Sequence, residues 1–347
     1  MPATRIRVPY SDLYAALHRA TLHLGLVDGP SDSEARAALC ARLFAETTRD
    51  GVYTHGLARF PRFAAMVANG SIDLNAQPTR VSGASALERW DGHCGPGNLN
   101  AHAATLRAIE LARLHGLGGV ALANTNHWMR GGSYGWLAAD SGIFALCWTN
   151  TLPNLPAWGS SAPTIGNNPL VIAVPRSGGE HIVLDMALSQ FSYGTISAAA
   201  ERGQQLSVPG GYDAAGRLTT DPAAIEATQR ALPIGYWKGS GLSLVLDLLA
   251  AMLSGGLATH QLTTDPARES GISQIFFAID PSSFAARPDL DRIATSIVDS
   301  LHAAPPIDPA HPVRYPGEQT LHLREENLRL GVPVDPTLWQ NLLTLNF

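Results

Sequence analysis

The chain of 347 residues is 45% hydrophobic and 15% charged, which is enough apolar material for a large core spread over about two domains. Its net charge of −5 and its lack of Lys/Arg runs exclude a general nucleic-acid binder. Three widely spaced cysteines exclude a disulfide framework, and no apolar run is long enough to cross a bilayer, so we predict a soluble protein of a reducing compartment.

The N-terminal residues are predicted to form a helical layer. Apolar residues recur at helical spacing over residues 10–26 and again over residues 61–68. Between them, Ser31-Asp32-Ser33-Glu34 has the form of a capping box, which predicts the start of a helix that runs to about Thr48. We therefore expect three helices before the first strand.

The middle of the chain alternates apolar runs with helical patterns. Strands are predicted at residues 80–81, 86–90, 119–123, 143–148, 170–175, 181–186 and 273–279. Helices are predicted at residues 101–115, 135–140, 194–202, 242–253 and 290–302. Asn98 is expected to cap the first of these helices, and the apolar helix at 242–253 is expected to be buried on most faces. Residues 209–222 are polar and rich in Gly and Asp, so they are predicted to be a loop.

The last part of the chain is predicted to cross the molecule and end in helices. Residues 305–316 are rich in proline and form the expected connection, and helices are predicted at residues 320–330 and 336–345. Alternating strands and helices in the middle, with helices at both ends, predict an α/β fold with a helical second layer.

The loop after the strand at 119–123 is the first candidate site. Residues 124–136 bring together two amides, the imidazole of His127, the guanidinium of Arg130 and three glycines. Buried polar groups need hydrogen-bond partners, and α/β proteins bind ligands at the carboxyl ends of strands. A glycine-rich turn before a capped helix is the alternative, but the number of polar side chains favours a ligand site.

His55 and Arg59 form the second candidate site. His55 lies between two predicted helices, next to a glycine, where an imidazole suits general acid–base work. Arg59 lies about one helical turn further on and would pair with a carboxylate of an acidic substrate. A helix-capping histidine and a surface arginine are the equally supported alternative.

Two weaker candidates lie at a strand end and a helix start. Thr149 and Asn150 follow the strand at 143–148, where such side chains bind hydroxyls, carboxamides or phosphate, although ordinary Asx-turn chemistry is the alternative. Lys238 lies in a glycine-rich run that opens the helix at 242–253, so backbone amides there would bind an anion. That run lacks the third glycine of a Rossmann fingerprint.

One carboxylate lies at the end of a predicted strand, and the histidines are spread along the whole chain. Asp185 ends the strand at 181–186 and is expected either to cap a helix or to orient a histidine. No HExxH or His-x-His spacing occurs, so we predict no metal site.

Seven runs in the sequence resemble the type-2 malate/L-lactate dehydrogenase family, whose members use a nicotinamide cofactor without a Rossmann fold. The most specific run is Asn-His-Trp-Met-Arg-Gly-Gly-Ser-Tyr-Gly-Trp at residues 126–136. The others lie at residues 51–56, 59–63, 147–150, 191–194, 235–241 and 271–276. The resemblance covers nearly the whole chain, from about Ser11 onward, and is strongest to members that reduce keto sugar acids.

The resemblance implies a homodimer with a mixed-sheet, non-Rossmann nicotinamide-binding domain at residues 81–299 and a helical domain at 1–80 and 300–347. It implies active sites near the subunit interface, with His55 as the proton donor. It also implies cofactor contacts from His181, Ile182, Val183, Leu184, Asp185, Met186, Ala187, Trp237, Lys238, Gly317, Glu318 and Gln319.

The chain departs from the family pattern in two places. Thr195 follows Gly194 where many members have a lysine, a loss shared by the sugar-acid reductases. Glu318 replaces a histidine in the last cofactor segment. A carboxylate repels a 2′-phosphate, so NADH is expected to be preferred over NADPH.

These resemblances and residues together predict an NADH-dependent reductase of an α-keto sugar acid. Asp185 would fix the imidazole of His55, and Arg59 would clamp the substrate carboxylate, with Arg130 as a second candidate. His127, Thr149 and Asn150 would hold the polyol or carbonyl oxygens. The alternatives are a sibling dehydrogenase of malate, lactate, ureidoglycolate or a cyclic imino acid, a ligand-binding relative without catalysis, and a metal-dependent hydrolase.

Overall fold

The computed structural model describes residues 5–27 and 35–347. Its strands are β1 (Ile6–Val8), β2 (Thr79–Ala84), β3 (Leu87–Asp91), β4 (Leu117–Asn126), β5 (Phe144–Thr149), β6 (Leu155–Pro156), β7 (Pro163–Ile165), β8 (Leu170–Val174), β9 (Ile182–Met186), β10 (Gly211–Tyr212), β11 (Leu218–Thr219), β12 (Ser270–Ile279) and β13 (Val332–Val334). Its α-helices are α1 (Tyr10–His23), α2 (Arg36–Arg49), α3 (Phe60–Ala68), α4 (Gly97–His115), α5 (Gly132–Asp140), α6 (Tyr193–Glu201), α7 (Pro222–Thr228), α8 (Trp237–Ser254), α9 (Arg287–His302), α10 (Glu318–Leu330) and α11 (Pro336–Thr344).

A seven-stranded mixed sheet forms the centre of the molecule, in the order β2-β3-β4-β12-β5-β8-β9. β3 and β4 are parallel, whereas the other neighbouring pairs of this sheet are antiparallel. A doubly wound Rossmann sheet is parallel throughout its core, so this topology differs from it. The predicted α/β class with a mixed sheet is confirmed.

Apolar residues on both faces of the sheet are covered by helices. On one face, α4 and α5 pack through Ala108 and Tyr134 against strand residues such as Phe276. On the other face, α8 packs through Leu246 and Ala250. The sheet therefore lies inside a three-layer arrangement, which explains why its strands read as continuous apolar runs.

The two ends of the chain share a third core. Residues of α1, α2 and α3 cluster with Val332, Val334 and Leu342 from the C-terminus. β1 also pairs antiparallel with β13, with Ile6 opposite Val334. These contacts place the N- and C-terminal helices in one layer; the domain boundaries given above remain a prediction.

Two predicted details of the secondary structure differ in the structure, and a third cannot be compared. α4 begins after Pro96, and Asn98 lies inside its first turn, where its amide donates to Cys40 Sγ (3.3 Å) rather than capping the helix. The predicted loop at 209–222 contains the short hairpin β10–β11. The predicted capping box at residues 31–34 lies outside the described residues.

The apolar helix α8 was expected to be buried on most faces. In the structure it exposes much of its surface. Leu244, Leu248 and Met252 share one face and are 51%, 49% and 70% exposed. An exposed apolar stripe of this kind is typical of surfaces that pack against another molecule. Within residues 5–27 and 35–347, no helix is both long and apolar enough to span a membrane.

Candidate active site

A cavity of about 1210 Å³ lies where the helical layer meets the sheet. Its volume exceeds the ~300–1,000 Å³ typical of a site for one drug-sized ligand. Its lining comes from the turns around His55, the loop before α5, strand β9 and the segment before α10. The charged or imidazole side chains that line it are His55, Arg59, Arg62, His127, Arg130, Asp185, Glu269 and Arg314.

His55 is held by two successive 3-10 turns, Tyr53–His55 and Leu57–Arg59. Between them, Gly56 lies directly on α2, where an added Cβ would be 2.2 Å from Thr48 Oγ1. The same Thr48 hydroxyl accepts a hydrogen bond from Leu57 N (2.8 Å). Gly56 is therefore required sterically, and it sets the position of the imidazole at the cavity wall.

The imidazole of His55 has one ring nitrogen engaged and one available. Its Nδ1 lies 2.9 Å from Thr54 Oγ1, and its ring stacks near-parallel to that of His127, with 5.8 Å between centroids. Burial, and then the positive charges of Arg59 and Arg130, lower the pKa of His55 to about 4. Without a bound anion, His55 is therefore neutral at neutral pH.

His127 is a neutral hydrogen-bond donor in the same wall. Its Nδ1 accepts from Met129 N (3.0 Å), so in the neutral ring the proton is on Nε2. Burial lowers the pKa of His127 well below its usual value, and Arg59 and His55 lower it further. Met129 adopts φ 64°, which is uncommon for a side chain of this size and typical of functional loops.

Arg59 faces the cavity and is not the surface arginine of the alternative interpretation. Its side chain is 17% exposed, and its Nη2 donates to Glu269 Oε2 at 3.1 Å. Arg62, one helical turn later, donates from Nη2 to the same carboxylate oxygen at 3.1 Å. The predicted carboxylate clamp is therefore already anchored by an acid of the chain itself.

Arg130 is tied to a buried ion cluster behind the cavity wall. Its Nη1 donates to Asp50 Oδ2 (2.7 Å), and Arg324 donates to both oxygens of the same carboxylate, at 2.9 and 2.7 Å. The Arg324 guanidinium also lies over the ring of Trp136, 4.6 Å from its centroid. Arg130 is thus chiefly a wall residue, although its Nε is a buried donor without a partner among the described atoms.

Asp185 lines the cavity but does not orient His55, contrary to expectation. Its Oδ2 accepts from Gly132 N (2.8 Å) at the start of α5, whereas Thr54 bonds to His55. An added Cβ on Gly132 would lie 2.7 Å from that oxygen, so a glycine is needed for this approach. Burial raises the pKa of Asp185, and the charge of Arg130 opposes the rise.

Thr149 and Asn150 lie outside the cavity lining and bond to the protein itself, so nothing in the structure supports the prediction that they bind substrate. Thr149 Oγ1 donates to Ser273 O (3.0 Å), and Asn150 Oδ1 accepts from Ser273 N (2.8 Å). The amide of Asn150 also donates to Asp247 Oδ1 (2.9 Å) in α8. Both side chains are buried, and their polar atoms need partners there. Their hydrogen bonds join β5, β12 and α8.

The residues predicted to contact cofactor divide into two groups. Val183, Leu184, Asp185, Ala187 and Gly317 line the cavity. The others lie outside its lining: His181, Ile182, Met186, Trp237, Lys238, Glu318 and Gln319.

Two of the residues outside the lining have defined structural partners. His181 Nδ1 accepts from Arg176 N (2.9 Å) and its Nε2 lies 3.0 Å from Asp140 Oδ1, so both ring nitrogens are engaged. Glu318 Oε2 accepts from Tyr315 N (3.0 Å) and shapes the segment before α10. Trp237, by contrast, is 65% exposed on α8.

The cavity wall fits a nicotinamide dinucleotide together with a small acid. Val183 N donates to Pro316 O (2.9 Å), which joins β9 to the segment before α10. Gly317 has φ 100°, and an added Cβ would lie 3.1 Å from Val183 N, so the backbone itself forms this wall. An apolar, backbone-lined surface with imidazoles and guanidiniums at one end suits a flat ring beside an anion. Among the described residues, no group of three His, Cys, Asp or Glu side chains is placed to hold a metal ion.

Sequence reasoning did not identify several lining residues, notably Thr54, Glu269, Arg314 and Asn154. Thr54 is adjacent to His55 and was detectable as a hydroxyl next to a candidate imidazole. Glu269 is 210 positions from Arg59, so no local pattern links them.

Comparison with known proteins gives consistent matches. The family model described as malate/L-lactate dehydrogenase matches residues 25–343. The chain is 44% identical to 2,3-diketo-L-gulonate reductase of Shigella boydii, over 98% of this chain and 100% of that protein. Among solved structures, it is similar to delta1-piperideine-2-carboxylate reductase from Pseudomonas syringae, with a TM-score of 0.86, 28% identity and coverage of 98% of this chain and 99% of the other. Sulfolactate dehydrogenase from Methanocaldococcus jannaschii is also similar, with a TM-score of 0.88, 25% identity and coverage of 98% and 96%.

Proposed function

Because this chain belongs to the malate/L-lactate dehydrogenase family, we propose that it is an NADH-dependent reductase that converts 2,3-diketo-L-gulonate to 3-dehydro-L-gulonate. The observation that supports this most directly is the pair of stacked imidazoles, His55 and His127, beside Arg59 in one cavity. A proton donor, a neutral N–H donor and a carboxylate clamp are the groups that reduction of an α-keto acid requires.

The chain's own residues have distinct tasks in this reaction. The nicotinamide, when bound, supplies the hydride that reduces the carbonyl carbon. Arg59 holds the substrate carboxylate, and His127 donates from Nε2 to the carbonyl oxygen. His55 then protonates the developing alkoxide, with Thr54 holding its Nδ1. Arrival of the substrate anion offsets the charge of Arg59, which raises the pKa of His55 and lets it take up the proton it donates.

NADH oxidation followed by absorbance, with NADPH in parallel, tests the proposal. The substrates are 2,3-diketo-L-gulonate, pyruvate, oxaloacetate and a cyclic imino acid. We expect the sugar acid to have the highest kcat/KM and NADH to be preferred, since Glu318 lies next to the cavity-lining Gly317 and would repel a 2′-phosphate. Higher turnover of a smaller acid would show that the proposed substrate is wrong. No oxidation of NADH with any of the acids would favour a ligand-binding protein.

Replacing Arg59 by lysine is expected to raise KM for the keto acid with little change in kcat. A lysine ammonium is a point charge that cannot form the bidentate contact of a guanidinium. One lost charge-assisted hydrogen bond costs roughly 1.5 kcal/mol, about a tenfold rise in KM. Steady-state kinetics measure this, with the exposed Arg292→Lys as control. An unchanged KM would indicate that Arg62 or Arg130, rather than Arg59, binds the substrate carboxylate.

The family resemblance implies a homodimer, and we propose that the exposed apolar face of α8 belongs to its interface. Leu248 lies at the centre of that face, between Leu244 and Met252. A charge there would have to be buried on association, so Leu248→Glu is expected to dissociate the dimer. Sedimentation velocity measures the mass, with Leu114→Glu as a control at an exposed leucine of α4. A variant that sediments like the wild-type dimer would place the interface elsewhere.

We also propose a cytoplasmic location. The three cysteines, Cys40, Cys94 and Cys147, are free thiols, and two of them are buried. A reducing compartment keeps thiols of this kind unpaired.

A further inference from the structure

Glu269 is a buried carboxylate placed between two arginines of the cavity. Its side chain is 6% exposed, and one oxygen, Oε2, accepts from both Arg59 and Arg62 at 3.1 Å. Glu269 therefore pairs with guanidiniums that could otherwise bind a carboxylate of the substrate. Among the described residues, the side chains that donate hydrogen bonds to its carboxylate are these two arginines.

The backbone around Glu269 holds the carboxylate in place. It follows the 3-10 turn Pro266–Arg268, which Asp265 caps by accepting from Ala267 N (2.9 Å). Asn69 at the end of α3 donates to Ala267 O (2.8 Å), and Arg62 donates to Pro266 O. The turn is thus attached to α3, which carries Arg62 and begins directly after Arg59.

Glu269 leaves part of Arg59 available. Only Nη2 of Arg59 donates to Glu269, so the Nη1 and Nε donors of the same guanidinium remain for a ligand. On Arg62, Nε is buried and has no partner among the described atoms. Arg59, Arg62 and Glu269 together thus have donors for one carboxylate of a ligand. Their net charge is +1, because two guanidiniums are offset by one carboxylate.

We propose that Glu269 makes the site selective for α-keto acids with a single carboxylate and against dicarboxylates. Resting on the proposed reductase function, this assigns Glu269 as a specificity-determining residue. A second substrate carboxylate in this cavity would meet the Glu269 charge at close range, and like charges brought together in a partly buried site repel each other strongly. A sugar acid has one carboxylate and several hydroxyls, so it avoids this repulsion.

The test compares two acids of equal carbon number, 2-oxobutanoate and oxaloacetate, with NADH. Each is measured as a substrate, or as a competitor of 2,3-diketo-L-gulonate where it is not turned over. In Glu269→Gln, the specificity ratio of the dicarboxylate to the monocarboxylate is expected to rise about tenfold or more, since one repulsive charge is removed. In Glu269→Asp, which keeps the charge, the ratio is expected to stay near that of the wild type.

Two further variants keep the test decisive. Arg62→Gln removes a cation and is expected to shift the ratio in the opposite direction, so it decides the question if Glu269→Gln does not fold. Glu326→Gln removes an exposed carboxylate that pairs with Arg7 and serves as the matched control. A ratio in Glu269→Gln equal to that of the control, or a ratio in Arg62→Gln equal to that of the wild type, would overturn the role of Glu269.

Failure of the proposed function gives a different result. If the wild type does not reduce 2,3-diketo-L-gulonate but the ratio for the small acids shifts as described, the substrate is wrong and the selectivity by charge stands. If the sugar acid is reduced and the ratio does not respond to Glu269, only the inference about Glu269 fails.

Discussion

Replacing His55 by alanine is expected to lower kcat by roughly 10²–10⁴-fold, the contribution typical of a positioned general acid. The imidazole lies at the cavity wall with one ring nitrogen bonded to Thr54 and the other available to the substrate. Alanine removes the proton donor but leaves β9 and the segment before α10, which form the proposed cofactor wall, unchanged. NADH binding, measured by fluorescence titration, is therefore expected to be nearly that of the wild type.

The control for this experiment is His115→Ala, an exposed histidine in the last turn of α4, far from the cavity lining. It is expected to leave both kcat and NADH affinity unchanged. If His55→Ala kept most of the wild-type kcat, His55 would not be the proton donor, and His127 would be the next residue to test. Loss of NADH binding together with activity would indicate that the substitution had disturbed the cavity itself.

Replacing Asp50 by alanine is expected to lower the free energy of unfolding by about 3–5 kcal/mol. Asp50 is 3% exposed and accepts hydrogen bonds from Arg49, Arg130 and Arg324. Without it, the buried guanidinium of Arg130 loses its partner, and α10 loses its charge contact with the cavity wall. A charge left unpaired in the interior is the main source of the cost. Urea unfolding followed by circular dichroism measures the change.

The same cluster predicts a loss of stability in acid. Hydrogen bonds and charges from the arginines lower the pKa of Asp50 from 3.8 to about 2, against the opposing effect of burial. Because the folded-state pKa is below the unfolded value, the stabilisation is complete above about pH 4 and is lost as the pH falls towards 2. The shift corresponds to roughly 2.5 kcal/mol. In Asp50→Ala, this part of the acid dependence should be absent.

Glu326→Gln is the control for these stability measurements, because it breaks an exposed ion pair with Arg7. Exposed pairs contribute about 0–1 kcal/mol, so its unfolding midpoint should stay close to that of the wild type. Equal stabilities of the Asp50 and Glu326 variants would mean that the buried cluster contributes nothing beyond a surface pair.

Local sequence patterns were sufficient to predict the seven strands of the central sheet, most of the helices and part of the site. Continuous apolar runs identified the strands of the central sheet, because both of its faces are covered by helices. His55 and His127 were identified because each lies in a polar, glycine-containing turn, and Gly56 is required by its contact with Thr48. Both histidines are found in the cavity.

The contacts between distant residues were not predictable, because they leave no local pattern. Asp50 and Arg324 are 274 positions apart, as Arg59 and Glu269 are 210 apart, and only the fold brings each pair together. The backbone contacts of Thr149 and Asn150 were not predictable for the same reason. A polar pair after a strand looks the same in sequence whether it faces a ligand or, as here, the backbone of β12.

The exposed face of α8 shows a third limit of sequence reasoning. An apolar helix has the same composition whether it is covered by its own chain or by a partner subunit. Leu244, Leu248 and Met252 were expected in the core and are at the surface of the single chain. Their exposure supports the proposal that this face belongs to a subunit interface.

The measurement that tests the central claim most directly follows hydride transfer with NADH deuterated at the transferring position of its ring. The wild-type protein is incubated with this cofactor and 2,3-diketo-L-gulonate, and the product is examined by mass spectrometry and NMR. We predict 3-dehydro-L-gulonate that carries a single deuterium on the carbon next to the carboxylate. Unlabelled product, or no product while NADH binds, would contradict the assignment of this cavity as the active site of a sugar-acid reductase.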